Sequence, residues 1–578
     1  MKRSLPLVLF LLAAACSSTA VRQPAPPVHV VIVGTTDVHG WFNGHVETPP
    51  GGGEGVLWGG LPSLASYVEA LRDQHGGRVL LVDSGDMFQG TLESNIFEGE
   101  AVIRGYNVLG YTAAAVGNHE FDFGPIGPEV IPRNPGDDAL GALKRNADLA
   151  MFPLLSANMV EKATRKTPAW AKRYTLVRVG GARVGIIGLS TPDTPNVTMG
   201  INVASLDFTD PVEATLQSAA ELRKQGADAI VVIAHIGGRC TETDEPHALD
   251  SCDRNAEAMT YLEKLPAGTI DAFFAGHTHA NMAHYVNGVP TVQGLAMSRE
   301  FSTVELWVDT ENNRVTKSEI RPPTMICSFV YEGTSHCDPR LAVKGAKLVP
   351  RVFGGQTIEP DARTGAAIAP YLRRVAAKRD EKLGIRTDAL FTRHYSGESP
   401  LGNLIADALR RSTGADVAIM NSGGIRSELP RGDLTYGDVF AVSPFDNYPT
   451  MVIMTGAQLV ELLRNTSTGA RGIMQVSGVK YTFDASKKGL ERFVSATLED
   501  GSPLDPEKLY SVIMPDFVAM GGDGAEAVTS TIPKDRFTTF YAAPIRDMLI
   551  AELKKANGAP LEPKVDGRIT VLNPPRQN

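Results

Sequence analysis

The sequence predicts an α/β protein, and three observations carry that prediction. The composition is that of an ordinary globular chain: 578 residues, 43% hydrophobic, 7% aromatic and 21% charged. Collagen-like, mucin-like and wholly disordered readings fall away on those figures. Five near-continuous apolar runs in the first half read as strands buried on both faces. Helical candidates, Leu64 to Gln74 and Pro211 to Gln225 among them, lie between those runs, and βα alternation means helices layered on parallel strands. The length allows three or four domains of about 150 residues, or two large ones.

The chain opens with Lys2 and Arg3, a short apolar stretch from Leu5 to Leu12, and then Ala13-Ala14-Ala15-Cys16. The stretch is too short for a transmembrane helix and fits a secretory signal over 1–15. Small residues directly before a cysteine resemble a bacterial lipobox, although Ala13 stands where Leu is commoner. The expected mature chain begins at a lipidated Cys16 and continues as a Ser/Pro-rich tether over 16–27. Cleavage after Ala15 without a lipid is the alternative. Either route exports the protein to the periplasm or cell envelope, and the lipid would be its membrane attachment. No later apolar stretch is long enough to span a bilayer. The net charge of −9 offers no general attraction to polymeric nucleic acid.

Each apolar run ends on chemistry. Val28 to Val33 leads to Asp37 and His39, and Val79 to Val82 leads to Asp86. Ala113 to Val116 leads to Asn118 and His119, Ala229 to Ala234 ends at His235, and Ile270 to Ala275 leads to His277 and His279. Ligands of α/β sheets collect outside the carboxyl ends of the strands, where all of these fall. Singly each is weak, since a lone His at a strand end is more often structural. Together, Asp37, His39, Asp86, Asn118, His235, His277 and His279 supply seven donors for two divalent ions, with Asp86 the natural bridge. The other histidines lack such context. The Gly51 to Gly55 stretch reads as a flexible loop.

Four cysteines downstream fall into two close pairs, Cys240 with Cys252 and Cys327 with Cys337. In an exported chain four cysteines allow three pairings, of which two short local loops are the simplest. None has the spacing of a zinc knuckle or redox motif.

Thr36-Asp37-Val38-His39-Gly40, Gly85-Asp86-Met87-Phe88-Gln89-Gly90, Gly117-Asn118-His119-Glu120, Ala234-His235 and Gly276-His277-Thr278-His279 resemble the five metallophosphoesterase motifs in order. More narrowly, residues 28 to 573 resemble the bacterial 5′-nucleotidase/UDP-sugar hydrolase family of calcineurin-like phosphatases. That resemblance implies a four-layer α/β/β/α sandwich as the catalytic domain (28–345), a linker helix region (346–383) and a second α/β domain that binds substrate (384–573). It implies one metal on Asp37, His39, Asp86 and His279 and another on Asp86, Asn118, His235 and His277, with Zn, Mn, Co and Mg all open. Two such ions would polarise phosphoryl oxygens and acidify water. It also implies a His119–Asp122 dyad, in which the carboxylate fixes the imidazole tautomer and favours the imidazolium. Glu120 reads as structural.

In the second half, Pro360 to Leu383 reads as one helix with alternating charged faces and Gly384 at its C-terminus, a solvated connector between domains. Three segments follow: Glu398 to Ala408, Asn421-Ser422-Gly423-Gly424-Ile425-Arg426, and Asp516 to Gly524. The resemblance implies that Phe445 and Phe517 sandwich a nucleobase, that Asp523 accepts from ribose hydroxyls, and that Asn421 and Arg426 make phosphate-side contacts. Gly397 stands where some relatives carry an arginine, and whether Arg393, four residues earlier, serves the phosphate is open. The leading expectation is an exported dinuclear-metal phosphohydrolase acting on nucleoside 5′-monophosphates, and on nucleotide diphosphates or UDP-sugars as further substrates. The rivals are a 2′,3′-cyclic nucleotide phosphodiesterase/3′-nucleotidase, a thiosulfohydrolase, and a non-catalytic nucleotide-binding lipoprotein.

Overall fold

Val28–Thr35 forms a strand whose inner half is completely buried, and it pairs in parallel with Val79–Asp83, Val31 opposite Val79 and Thr35 opposite Asp83. It anchors a six-stranded sheet in the order Arg314–Met325, Glu300–Asp309, Val28–Thr35, Val79–Asp83, Ala113–Ala115, Leu154–Leu155. A second six-stranded sheet runs Met282–Val286, Val289–Gln293, Ala272–Phe274, Ala229–His235, Ala182–Ser190, Tyr174–Val179. This computed structural model describes residues 25–47, 55–343, 345–469 and 471–574. The signal segment, Cys16, most of the tether and Gly51 to Glu54 lie outside the described residues.

The five ligand-bearing runs divide between the two sheets, three in the first and two in the second. The first sheet is parallel from Val28–Thr35 to Leu154–Leu155 and carries two antiparallel strands on its other side, and the second is parallel at its centre with an antiparallel strand at each edge. Val30, Ile32, Leu80 and Val82 of one sheet meet Val184, Ile186, Val231 and Ile233 of the other in a dry middle layer. Burying each such side chain contributes about 1.5–3 kcal/mol. Helices Leu61–Gln74, Glu100–Leu109 and Gly141–Leu149 cover the first sheet, and Pro211–Lys224 and Glu257–Lys264 cover the second. The result is the α/β/β/α order of layers, with every site-bearing loop leaving a carboxyl end of a central strand.

The connector helix runs Ala362–Arg379, started by Asp361, whose carboxylate accepts from the Thr364 amide at 2.8 Å. It is shorter than the sequence pattern predicts. Lys382–Thr387 is a strand instead, alternating exposed and buried, and Gly384 sits inside it at φ 71°. Leu383 and Ile385 are drawn into the C-terminal core, so period-2 burial overrides the helical reading. Nor is the helix fully solvated: Ile368 packs into the catalytic domain, and Tyr371 donates to Glu100 Oε1 at 2.8 Å.

The C-terminal domain is built on a five-stranded sheet, Met474–Ser477, Val417–Asn421, Leu509–Pro515, Pro449–Thr455, Phe537–Thr539. Pro400–Thr413 and Ile545–Lys554 pack on one face and Gly456–Thr466 on the other. Cys240 bonds Cys252 and Cys327 bonds Cys337, the two local pairings. Among the described residues no helix is long and apolar enough to cross a membrane.

Candidate active site

The loops at the strand ends bend sharply to aim their side chains. Asp37, His39, Asp86, His277 and His279 all have φ between 50° and 79°, the left-handed region that costs an L-residue about 1–2 kcal/mol. Backbone bonds hold them there: the Asp37 amide donates to Gly85 O, the His39 amide to Asp86 O and the Gly40 amide to Met87 O, each at 2.9 Å. Gly117 has no room for a side chain, because a Cβ would stand 2.3 Å from Asp86 Oδ1.

Two groups of donors converge, Asp37 with His39 and His279, and Asp86 with His235 and His277, each with ligand atoms within 4.8 Å of one another. Asp86 Oδ2 lies 2.9 Å from His235 Nε2 and 3.8 Å from His39 Nε2, so it faces both groups. His39 Nδ1 is 2.8 Å from Gln89 O and His235 Nδ1 is 2.9 Å from Ser84 O. A carbonyl only accepts, so each Nδ1 carries the proton, and in the neutral ring the Nε2 lone pair faces a carboxylate. Lone pair against lone pair is repulsive unless a cation lies between. Asn118 repeats the pattern, its Nδ2 donating to Val197 O at 3.0 Å while its buried Oδ1 has no partner. The donor set therefore fits two divalent cations.

Charge is arranged to match. Burial would raise Asp37 and Asp86, but His279 and His235 beside Asp37, and His235 and His119 beside Asp86, hold both well below the usual carboxylate range. His235, despite burial, is pushed up to about 10 by Asp86, the carboxylate favouring a proton at the Nε2 position that a cation would otherwise occupy. Burial and Arg426 hold His39 far down, and burial and His235 bring His277 to about 4. Glu120 is pushed up to about 8 by burial and Asp86. Its carboxylate accepts from the amides of Asp86, Met87 and Gly117 at 2.7–2.8 Å, joining two ligand loops.

His119 Nδ1 is 2.5 Å from Asp122 Oδ2, and the other Asp122 oxygen accepts from Thr198 Oγ1 at 2.7 Å. Burial opposes the imidazolium, yet Asp122 and Asp86 outweigh it and raise the His119 pKa. The ring lies 5.3 Å from that of His39, its second nitrogen left for the cavity.

The C-terminal domain closes over this centre. Arg426 reaches across so that Nη2 lies 3.0 Å from His39 Nε2, with its guanidinium 5.7 Å from the Phe445 ring centre. Phe445 lies 5.5 Å from the His119 ring. Arg393 lines the same cavity and donates from Nη1 to Ile425 O, bracing the Asn421–Arg426 turn. Asn421 Nδ2 donates to Asp523 Oδ2 at 2.7 Å. Asp523 stands at φ 52° and is pushed up to about 6 by burial. All of these, Phe517 included, line one cavity of about 920 Å³ shared with Asp86, Asn118, His119 and the His277–His279 turn.

Sequence reasoning missed three features of this cavity. Gln89 is 1% exposed with both amide atoms unpartnered. Asp193 and Arg471 form an ion pair between the domains. Tyr395 lines the wall. Gln89 lay inside a quoted motif and could have been found there; the other two carry no signal in sequence.

Fold and site together define a two-domain metallophosphoesterase. The calcineurin-like phosphoesterase family profile matches residues 30–281, and that of the 5′-nucleotidase C-terminal domain matches 376–530. The chain belongs to the 5′-nucleotidase family of calcineurin-like phosphoesterases. It is 28% identical to Protein UshA of Yersinia enterocolitica, over 93% of each chain. It is equally 28% identical to the Cell wall protein Lmo0130 of Listeria monocytogenes, over 89% of this chain and 66% of that one. Another relative is longer still, the chain spanning 38% of Endonuclease YhcR of Bacillus subtilis. The crystal structure of a 5′-nucleotidase precursor from Thermus thermophilus superposes with TM-score 0.75 at 26% identity, over 95% of this chain and all of that one.

Proposed function

We propose that the chain is an exported phosphohydrolase with two divalent metals that removes phosphate from nucleoside 5′-monophosphates, with nucleotide diphosphates and UDP-sugars as further substrates. One observation carries this reading. A single cavity joins the paired donor groups and the His119–Asp122 dyad to Arg426, Phe445, Phe517 and Asp523.

Asp37, His39, Asp86 and His279 would hold one ion and Asp86, Asn118, His235 and His277 the other. When bound, the pair would supply positive charge against phosphoryl oxygens and lower the pKa of water so that hydroxide is available to attack phosphorus. Arg426 presents a planar fork to the phosphoryl oxygens. His119, kept protonated by Asp122, offers its second nitrogen to a phosphoryl oxygen or the leaving oxygen. Phe445 and Phe517 offer faces to the base, worth about 1–3 kcal/mol per stacked base and tolerant of its identity. Asp523, fixed by Asn421, accepts from a ribose hydroxyl. Export is proposed from the signal-like first fifteen residues and the two disulfides, which persist in oxidising compartments.

The test is a panel of AMP, UDP-glucose, a 2′,3′-cyclic nucleotide and an aryl phosphate, assayed with Mn²⁺, Zn²⁺, Co²⁺ or Mg²⁺. Release of phosphate from AMP is the expected result. If AMP and UDP-glucose are both inert in protein carrying two equivalents of metal, the reading fails. Binding of AMP without turnover would favour a receptor. Lipidation at Cys16 predicts labelled acyl chain in the native protein and none in Cys16→Ser.

A further inference from the structure

The segment Thr191–Met199 touches the catalytic centre at two points and the other domain at a third. Val197 O accepts from Asn118 Nδ2 at 3.0 Å, which turns Asn118 Oδ1 towards the cage. Thr198 Oγ1 donates to the Asp122 oxygen that His119 does not use, at 2.7 Å. Asp193 meets Arg471 of the C-terminal domain in a two-pronged ion pair, Nε to Oδ2 at 2.9 Å and Nη2 to Oδ1. The short helix Thr194–Val197 between these points packs on the turn Gly522–Gly524, which carries Asp523.

The segment is braced within itself. Thr194 Oγ1 donates to Thr191 O at 2.7 Å, Asn196 Nδ2 to Asp193 Oδ1 at 2.9 Å, and Thr191 Oγ1 to the Glu257 carboxylate at 3.0 Å. A pull on Asp193 therefore moves Val197 and Thr198 with it. Other bonds lie along the same boundary, Asn95 Nδ2 to Pro444 O between the domains and Arg379 of the connector helix to Glu93 among them. Neither of those leads directly to Asn118 and Asp122.

We propose that Asp193 and Arg471 are positioning residues whose ion pair makes the orientation of Asn118 and Asp122 depend on the nucleoside-binding domain being seated. The pair links the two domains, so loosening it should loosen Val197 O and Thr198 Oγ1 and, through them, Asn118 and Asp122. This rests on the phosphohydrolase reading above. A half-exposed ion pair contributes little to stability, so its removal tests geometry rather than folding.

The experiment is a double-mutant cycle on AMP hydrolysis with Arg471→Gln and Thr198→Val, alongside the exchange Asp193→Arg with Arg471→Asp. Acting through one element, each single variant should lower kcat about 10-fold with KM within about twofold, and the pair should lose no more than about 20-fold. The charge exchange should recover at least half of the lost rate. Losses that multiply to about 100-fold would mean independent residues and overturn the proposal. An unchanged kcat, or a loss confined to KM, would overturn it as well. Asp193→Asn removes the charge from the other side of the pair and replaces the Gln variant if that one fails to fold; unaltered kcat there is equally fatal. If the unmodified chain with metal does not hydrolyse AMP, the functional reading has failed instead.

Discussion

Glu120 makes the sharpest test of how the cage is built, because its carboxylate bonds backbone amides only. Oε2 accepts from Asp86 N at 2.8 Å and Gly117 N at 2.7 Å, and Oε1 accepts from Met87 N at 2.7 Å. Glu120→Ala strands three buried amides. At about 1–3 kcal/mol for each unsatisfied donor, the cost is about 3–9 kcal/mol, against a total stability of about 5–15 kcal/mol for a native protein. Glu120→Gln is milder: its carbonyl can serve Asp86 and Gly117, leaving its NH₂ facing Met87 N, one lost bond worth about 1–3 kcal/mol. The assay is urea unfolding followed by circular dichroism, with metal counted after dialysis. The Gln variant should stay folded but bind metal about 10- to 100-fold more weakly, because the Met87 amide next to Asp86 is no longer held and the ligand loop loosens there. An Ala variant with the parental unfolding free energy and two equivalents of bound metal would refute this reasoning.

Three further outcomes follow from the site. His119→Ala should cut turnover by about 10²–10⁴ with metal content unchanged; loss of both metals would make His119 a ligand or a fold residue instead. Phe517→Ala should raise KM for AMP by about 5- to 150-fold, the equivalent of about 1–3 kcal/mol of lost stacking, while hydrolysis of an aryl phosphate is spared; equal loss on both substrates would remove Phe517 from base recognition. Asp83, fully buried among Thr35, Tyr106 and the Gly85 amide, is pushed from its ordinary 3.8 up to about 7 by burial. Its contribution to stability is thus fully present below about pH 4 and lost as pH rises through 7, a change of at most about 4 kcal/mol. Asp83→Asn, which cannot ionise, should gain stability relative to the parent between pH 4.5 and 8 in urea titrations; the opposite trend would show that Asp83 is ionised in the native state.

The strand ends were legible because strands buried on both faces must be apolar throughout, and the Asp, Asn and His residues that follow break that pattern abruptly. The cysteine pairs were legible for a simpler reason, chain proximity. Periodicity alone could not say that Val28–Thr35 and Ala229–His235 belong to different sheets, since burial on both faces reads the same in either. The end of the connector helix was misread because Lys382–Thr387 takes its conformation from pairing with Gly432–Thr435, about fifty residues away. Asn421 is read from its motif as a phosphate-side contact, and its hydrogen bond to Asp523, 102 positions further on, is more than the motif alone can specify. Asp193 and Arg471 are ordinary surface residues in sequence. Only the meeting of two domains gives them a role, and nothing local encodes that meeting.

The left-handed backbone at Asp37, His39, Asp86, His277 and His279 ties these strands of reasoning together. Asp37 and His39 are two positions apart, so a strand would put both on one face but about 7 Å apart, spread along the chain rather than aimed at one point. A positive φ at each of the five ligands turns the chain sharply so that the donors converge, at a summed cost of about 5–10 kcal/mol. Glycine would adopt the conformation freely but offers no side-chain donor, so Gly40 and Gly85, themselves at φ 70° and 96°, flank the ligands rather than replace them. The strain persists because the surroundings over-determine it: Gly85 O and Met87 O hold Asp37 and Gly40 on one side, and the Asp37 carboxylate accepts from the His277 amide on the other. The backbone thus fixes the direction of each donor, and the donors it gathers at one point are those that suit a cation.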